Sequence, residues 1–447
     1  MKIYADESWA KYILQTFISI YGLKNGLNIS FSYGKAIEKS VIVILKGKKC
    51  KKKLIFDGRR IPISHANVKE KIQGEHIAYY DDETPAISYD KESKKVYMTA
   101  DIVKTTFLLL SRAEEENTPK DKYGRFQAKY SINKNVENPI VNEYFWILFN
   151  LLKIILEDAP QKPVRKILWP NNAPYAVCLT HDVDNVYKWW LKKTLSYLIK
   201  QRKIKAVASS IGRKEYWNFE KIMDLEGKYG VRSTFFFLTT RRDFQPRYNL
   251  RRVKRVILNL DERGWEIGLH AGFDSYNNYD KIFNEKRKIE KILGKPITGV
   301  RNHYLRFRAP DTWAQQEKLG FGYDTTLGFR ETVGFRAGII HPYFPYDFKN
   351  DKQLTILELP MTFMDSTLFM SGDSQRTLEE LIKTARRWSG LIVVNWHQRT
   401  FDENDFQGYA DFYEKMLGIF KNDGAHIATC GDIANWWIMR KERSLLK

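Results

Sequence analysis

Residues 176–184 read Ala-Val-Cys-Leu-Thr-His-Asp-Val-Asp, a short apolar run that ends in a histidine and two acidic residues. The apolar part, Ala176–Thr180, predicts a buried strand. Helix and strand patterns alternate from there to the C-terminus, with further strands expected at 233–238, 265–269, 297–301, 321–325, 354–359, 391–396 and 426–430. Repeated helix–strand units of this length indicate a parallel sheet with helices outside it. Seven or eight strands over about 280 residues favour a barrel over an open sheet.

The first part of the chain, roughly residues 1–165, has a different pattern. Its periodicity predicts helices and strand-like runs at 9–21, 41–45, 77–80, 102–112 and 143–156. The polar stretch Glu114–Glu137 predicts a long loop. Prolines are dense in Ala159–Pro174, which suits a linker because proline breaks helices. We therefore predict an N-terminal α+β domain at 1–165 and a barrel domain at 166–447.

The composition is that of a folded, basic protein. The chain has 447 residues, 74 Lys and Arg against 53 Asp and Glu, and a net charge of +21. Such a surplus favours polyanionic partners, including an anionic membrane surface, although a solvated basic surface is the simpler interpretation. The basic runs are short (Lys46–Lys53, Lys200–Lys205 and Arg251–Arg255), and no recognisable nucleic-acid module accompanies them, so no specific nucleic-acid partner is predicted.

The cysteines and the N-terminus bear on the compartment. The three cysteines, Cys50, Cys178 and Cys430, are far apart and lack CxxC spacing, which argues against a disulfide framework and a structural zinc site. The first residues are acidic where a signal peptide would have its apolar core. We therefore expect a cytoplasmic protein, with peripheral attachment to the inner membrane face as an alternative. The sequence leaves the oligomeric state open.

Four of the eight histidines lie just after the ends of predicted strands: His181, His270, His303 and His397. In a parallel barrel the reactive side chains lie at the carboxyl ends of the strands. A single histidine such as His181 is more often a hydrogen-bonded core residue than a ligand. Their joint placement predicts a site at this edge of the barrel.

Asp182 and Asp184 lie two positions apart, so on an extended strand end their carboxylates point the same way and repel. A divalent metal beside them relieves that repulsion. His270 would add a nitrogen ligand, and either Asp274 or His303 would complete three protein ligands with a position left for water. The carboxylate that does not bind the metal is then free to act as a base. An acidic pair after a strand is, taken alone, often only a cap.

Four stretches of this second part carry a resemblance to a known family: Leu179–Asp184, Gly268–Asp274, Gly299–Tyr304 and Val394–His397. Together they resemble the motifs of the polysaccharide deacetylase superfamily, the NodB-homology deacetylases. The resemblance implies a distorted (β/α)7 barrel, a divalent metal, and removal of acetyl groups from N- or O-acetylated sugars. It covers all but the first ~165 residues.

The resemblance also implies roles for individual residues. Asp182 would be the catalytic base and Asp184 a metal ligand. Arg301 would hold the base, and His397 would act as the acid. The family's second motif has a histidine pair, and here Asp274 occupies the second place.

His303 is unusual for the family and is the alternative to Asp274 as third ligand. The order of Arg301–His303, Phe321–Phe329 and Leu359–Asp365 resembles a subgroup of bacterial deacetylase-like proteins with an extra N-terminal domain of unknown role. That domain ends in a stretch similar to Lys122–Phe126. We expect Zn²⁺ as cofactor, with Co²⁺, Mn²⁺ and Ni²⁺ as alternatives.

The sequence thus predicts a metal-dependent hydrolase of carbon–nitrogen bonds that removes an acetyl or similar acyl group from a sugar, glycan or glycan precursor. Two alternatives stay open. The first is a deformylase or deacylase of a lipid-linked sugar at the membrane surface. The second is a non-catalytic glycan-binding or scaffold protein, which the altered second motif favours and the retention of Asp182, Arg301 and His397 opposes.

Overall fold

A computed structural model gives the structure of the protein. It describes residues 3–4, 8–23, 28–34, 40–47, 50–57, 77–79, 85–90, 95–98, 102–155, 163–165, 167–187, 215–240 and 248–445. The basic run Lys200–Lys205 lies outside the described residues, as do parts of Lys46–Lys53 and of the predicted linker Ala159–Pro174.

The N-terminal part combines three helices with small sheets. Its helices are α1 (Ser8–Ile20), α2 (Ile102–Ser111) and α3 (Ile140–Ile155). Its strands are β1 (Ile3–Tyr4), β2 (Tyr21–Leu23), β3 (Asn28–Gly34), β4 (Ser40–Gly47), β5 (Cys50–Asp57), β6 (Ile77–Tyr79), β7 (Pro85–Asp90), β8 (Lys95–Met98) and β9 (Pro163–Arg165). They form sheets in the orders β1-β3-β4-β5, β6-β7-β8 and β2-β9.

The second part is built on a parallel sheet. Its strands are β10 (Ala176–Val183), β11 (Thr234–Leu238), β12 (Glu266–Ala271), β13 (Gly299–Asn302), β14 (Tyr323–Asp324), β17 (Leu357–Glu358), β18 (Phe363–Met364), β19 (Leu391–Asn395) and β20 (His426–Ala428). The order is β17-β14-β13-β12-β11-β10-β19-β18, and β20 pairs with the first half of β10. A small antiparallel pair, β15 (Tyr346–Asp347) and β16 (Lys352–Gln353), lies apart from this sheet.

The sheet must curl, because its two end strands are close neighbours in sequence. Eight strands at about 4.8 Å spacing would place the end strands roughly 34 Å apart in a flat sheet. Glu358 ends β17 and Phe363 begins β18, and five residues span at most about 18 Å. The predicted distorted (β/α) barrel with an additional α+β part is therefore confirmed.

Helices cover the outside of the sheet. They are α4 (Phe219–Lys228), α5 (Leu250–Glu262), α6 (Tyr279–Leu293), α7 (Asp311–Lys318), α8 (Asp365–Met370), α9 (Ser374–Trp388), α10 (Tyr409–Asn422) and α11 (Cys430–Leu445). The helix α5 shows why: Asn249 caps its first turn, and Val253, Ile257 and Leu260 form one buried stripe against the sheet. Among the described residues, no helix is both long and apolar enough to cross a membrane.

Buried charges connect the N-terminal part to the barrel. The guanidinium of Arg336 contacts both carboxylate oxygens of Glu115 at 2.9 and 2.7 Å, and Arg112 contacts Glu115 at 2.8 Å. All three residues are buried. Nearby, Val141 N donates to Gly338 O at 2.8 Å. The two parts therefore share a buried polar junction.

Candidate active site

The predicted site residues meet at the carboxyl edge of the sheet. Asp182 lies in β10, which is buried along its whole length, and Asp184 follows directly after it. His270 is in β12 and pairs in register with Arg301 of β13. His397 follows β19, two residues beyond Asn395, which pairs with Thr180 of β10. Because these strands are parallel, their carboxyl ends meet at one place.

Three of the proposed ligands converge on one point. Asp184, His270 and His303 are buried, and one possible ligand atom from each lies within 4.8 Å of the others. Oδ1 of Asp184 is 3.3 Å from Nε2 of His270 and 3.4 Å from Nε2 of His303. Nδ1 of His270 lies 3.0 Å from Arg301 O, and a hydrogen donated to that carbonyl leaves Nε2 as the ligand atom. One carboxylate and two imidazoles fit a divalent transition metal such as Zn²⁺.

Asp274 lies outside this group of three. Its side chain is 69% exposed, and its carboxylate pairs with Arg306 Nη1 at 3.2 Å. Between the two alternatives for the third ligand, the structure brings His303, and not Asp274, to Asp184 and His270. The reason is that Asp274 lies beyond the end of β12, where the chain has turned outward into solvent.

The turn after β13 gives His303 its position. Tyr304 and Leu305 both have left-handed backbone conformations, with φ of 62° and 55°. Side chains in this region of φ cost roughly 1–3 kcal/mol per residue, so surrounding packing must hold them there. The ring of His303, directly before these two residues, lies 5.0 Å from the ring of His270.

Asp182 is held by two donors. Its Oδ1 accepts from Arg301 Nη1 at 2.9 Å, and its Oδ2 accepts from Asn395 Nδ2 at 2.7 Å. Arg301 is fully buried and also donates to the Thr180 hydroxyl at 2.6 Å and to Thr325 O at 3.0 Å. Burial raises the pKa of Asp182, but the positive charges of Arg301, His270 and His397 together outweigh burial and lower that pKa. The carboxylate is therefore ionised at neutral pH.

His397 has its own carboxylate partner. Nδ1 of His397 is 2.9 Å from Oδ2 of Asp365, and the backbone N–H of His397 donates to the same oxygen at 2.8 Å. Nε2 of His397 points inward, 3.6 Å from Oδ2 of Asp184. Burial lowers the pKa of His397, but the charge and the hydrogen bond of Asp365, together with the charge of Asp184, outweigh burial and raise that pKa. The raised pKa favours the protonated form of His397, which can donate a proton.

The sequence assigned no role to Asn395 or Asp365, although both stand in stretches that the motifs cover. Asn395 becomes a partner of Asp182 because β19 lies beside β10, and strand order cannot be read from a short motif. Arg399 was also missed: its Nη1 lies 3.3 Å from Oδ2 of Asp184.

His181, by contrast, is buried away from the three proposed ligands. Its Nε2 lies 2.9 Å from Glu226 Oε1, and its Nδ1 lies 2.6 Å from Trp396 O.

We expect Asp365→Asn to lower the pKa of His397, because an amide cannot supply the charge that offsets the effect of burial. Since folding raises this pKa, the contribution of His397 to stability is present at low pH and is lost as pH rises through the folded value. The Asp365→Asn variant should reduce that contribution to stability. Nuclear magnetic resonance titration of histidine-labelled protein measures the pKa of His397, and His397→Gln assigns its signal. An unchanged pKa would contradict the pairing, and Asp411→Asn, an exposed carboxylate, is the control.

Comparisons with known proteins give one family match and several similar solved structures. Residues 1–156 match a family described as a family of unknown function, DUF7033. A search of curated proteins found no match. Among solved structures, the chain is similar to a protein provisionally assigned as a polysaccharide deacetylase from Mycobacterium smegmatis, with 17% identity, a TM-score of 0.44, and coverage of 61% of this chain and 93% of that one.

Two further solved structures are similar at lower scores. One is the peptidoglycan deacetylase PdaC from Bacillus subtilis, with 13% identity, a TM-score of 0.34, and coverage of 61% of this chain and 95% of that one. The other is a CE4 family pseudoenzyme from Bacillus anthracis, with 14% identity, a TM-score of 0.31, and coverage of 58% and 65%. The fold assignment rests on the strand order itself.

Proposed function

We propose that the protein is a metal-dependent hydrolase that removes an acetyl or similar acyl group from an N- or O-acylated sugar, glycan or glycan precursor. The observation that carries the proposal is the placement of a base and an acid beside one ligand group. Oδ2 of Asp182 is 3.8 Å from Nε2 of His270, and Nε2 of His397 is 3.6 Å from Asp184. Each has a buried partner of its own.

Asp184, His270 and His303 would hold the ion, with Zn²⁺ proposed first and Co²⁺, Mn²⁺ or Ni²⁺ as alternatives. When bound, a divalent ion supplies Lewis acidity, which polarises the acyl carbonyl and lowers the pKa of water. The chain's own residues then transfer the protons. Water forms a bond to the acyl carbon, and Asp182 accepts the proton that this water loses.

The bond from the acyl carbon to the sugar nitrogen or oxygen breaks as Nε2 of His397 gives its proton to the leaving group. Arg301 and Asn395 keep Asp182 ionised and oriented, and Asp365 does the same for the protonated form of His397. The products are a carboxylic acid and a free amine or hydroxyl. A module that only binds glycans has no use for two separately supported proton carriers, so their geometry favours the hydrolase over the non-catalytic alternative.

We expect Asp182→Asn to reduce the rate of acyl release by about 10²–10⁴-fold, the usual contribution of general acid–base catalysis. The measurement is acetate or formate released from a panel of N-acetyl, O-acetyl and N-formyl sugars by protein loaded with Zn²⁺. Asp411→Asn, the same change at an exposed position on α10, should leave the rate unchanged. Turnover by Asp182→Asn at the wild-type rate would contradict the assigned base. Metal binding without turnover of any sugar would favour the binding module.

A further inference from the structure

A tight turn of the N-terminal part, Asp121–Phe126, contacts Tyr304, the residue that follows the proposed ligand His303; we call it the rim turn. It belongs to the portion that matches the family of unknown function. Oδ1 of Asp121 accepts from the backbone N–H groups of Tyr123 and Arg125, both at 2.9 Å. Oδ2 of Asp121 accepts from Arg125 Nε at 2.7 Å. These bonds, with a left-handed Gly124 at φ 77°, fix the shape of the turn internally.

The rim turn packs against the barrel through an aromatic ring. The Tyr123 ring lies 5.3 Å from the Tyr304 ring, and the Arg125 guanidinium is 5.9 Å from that same ring. A Cβ added at Gly124 would lie 3.5 Å from the Arg306 side chain, an ordinary van der Waals distance. The rim turn therefore contacts the barrel at both Tyr304 and Arg306.

Tyr304 in turn contacts a proposed ligand. Its ring lies edge-on to His303, with centroids 4.5 Å apart, and edge-on to Phe273 at 5.4 Å. Tyr304 is also one of the two residues with a left-handed backbone directly after His303. The rings of Tyr123, Phe273 and His303 surround it. Packing of this kind is what holds a strained, left-handed residue in place.

We propose that the rim turn completes the metal site from the N-terminal part: Tyr123 is a positioning residue that holds Tyr304, and through it the ring of His303, in the geometry for binding metal. The inference rests on the proposed function in taking His303 as a ligand. It gives the portion that matches a family of unknown function a definite task, which is to order one ligand of a site whose three ligands all come from the barrel.

The expected effect of Tyr123 on metal binding has a general physical reason. A ligand that is held in one orientation binds more tightly than one that must be ordered on binding. Removal of the Tyr123 ring takes away one of the three rings around Tyr304. The turn at residues 303–305 is then less constrained, while Asp184 and His270, held by β10 and β12, keep their places.

The test compares Tyr123→Ala with Tyr123→Phe and Tyr130→Ala. The phenylalanine keeps the ring, and Tyr130 is an exposed tyrosine of the same loop whose ring contacts Lys129. The dissociation constant for Zn²⁺ is measured for each by competition with a chelator. We expect Tyr123→Ala to bind Zn²⁺ about 10-fold more weakly, the lower end of the effect of a residue behind a ligand. The other two variants should bind as the wild type does.

A second measurement does not need metal. In histidine-labelled, metal-free protein, the His303 ring signal, assigned with His303→Gln, should shift in Tyr123→Ala and stay in place in Tyr130→Ala. If Tyr123→Ala does not fold, Tyr123→Leu replaces it, since leucine keeps apolar volume without a ring.

Wild-type behaviour of Tyr123→Ala in both measurements would overturn the inference, and so would an equal loss in Tyr130→Ala. If the wild type itself binds no metal, the proposed function fails on that result. The histidine signal still decides whether Tyr123 positions His303.

Discussion

Asp184→Ala, His270→Ala and His303→Ala should each lose the single equivalent of Zn²⁺ that we expect the wild-type protein to hold. Each change removes one of three converging donors. Loss of a residue that merely supports a ligand weakens binding by about 10–100-fold, and we expect loss of the ligand itself to exceed that range. Elemental analysis after gel filtration, with calorimetric titration of the metal-free protein, measures the effect.

The matched control for the metal prediction is Asp274→Ala. The sequence placed Asp274 at the second histidine of the family's motif, but its side chain is exposed and paired with Arg306. It should hold Zn²⁺ as the wild type does. Loss of metal in Asp274→Ala with retention in His303→Ala would reverse the choice between the two. A wild-type protein that stays metal-free after reloading would remove the basis of the proposed hydrolase.

Glu115→Gln is expected to destabilise the fold by about 3–5 kcal/mol, the range for breaking a buried ion pair from one side. Glu115 lies between the guanidinium groups of Arg112 and Arg336, and all three side chains are almost completely buried. The amide leaves two buried positive charges with less compensation. Urea unfolding monitored by circular dichroism gives the free energy. Glu116→Gln makes the same change one residue further on, at an exposed position, and should stay within about 0.5 kcal/mol of wild type.

The same junction predicts a pH dependence. Burial alone would raise the pKa of Glu115, but Arg336 and Arg112 outweigh it and lower the pKa from its usual 4.5 to about 2. A carboxylate with a depressed pKa stabilises the fold above its unfolded pKa, and this stabilisation is lost as pH falls toward the folded value. The loss, on the order of 3 kcal/mol, should occur between about pH 5 and pH 2. Glu115→Gln should show a correspondingly flatter acid limb; equal acid limbs would contradict the shifted pKa.

The sequence predicted the parts of the site that depend on local pattern. Asp182, Asp184, His270 and His397 could be found because each lies at or just after the end of an apolar strand, and parallel strands end at one edge. Asn395 and Asp365 could not be assigned, because their roles depend on which strands lie side by side. The choice between Asp274 and His303 depended on the left-handed turn at Tyr304. The sequence does not predict this turn, because it has no glycine there.

Three predictions from the sequence are not tested by the structure. The division at residue 165, the membrane surface as a partner and the cytoplasmic location concern properties on which the contacts of the barrel do not bear. The function of the N-terminal part was the hardest to predict from the sequence, because this part carries no chemical motif. Its position at the rim became visible only through contacts such as Tyr123 with Tyr304, which join residues 181 positions apart.

The pairing of β10 with β19 has a consequence for how the site is made in the cell. Asp182 meets Asn395 across a sequence separation of 213 residues, so the base lacks this partner until most of the chain has left the ribosome. At roughly 5–20 residues per second, that interval is about 10–40 s. During synthesis the first strand of the barrel therefore has an incomplete set of partners for Asp182, and a working site is among the last features of the molecule to form.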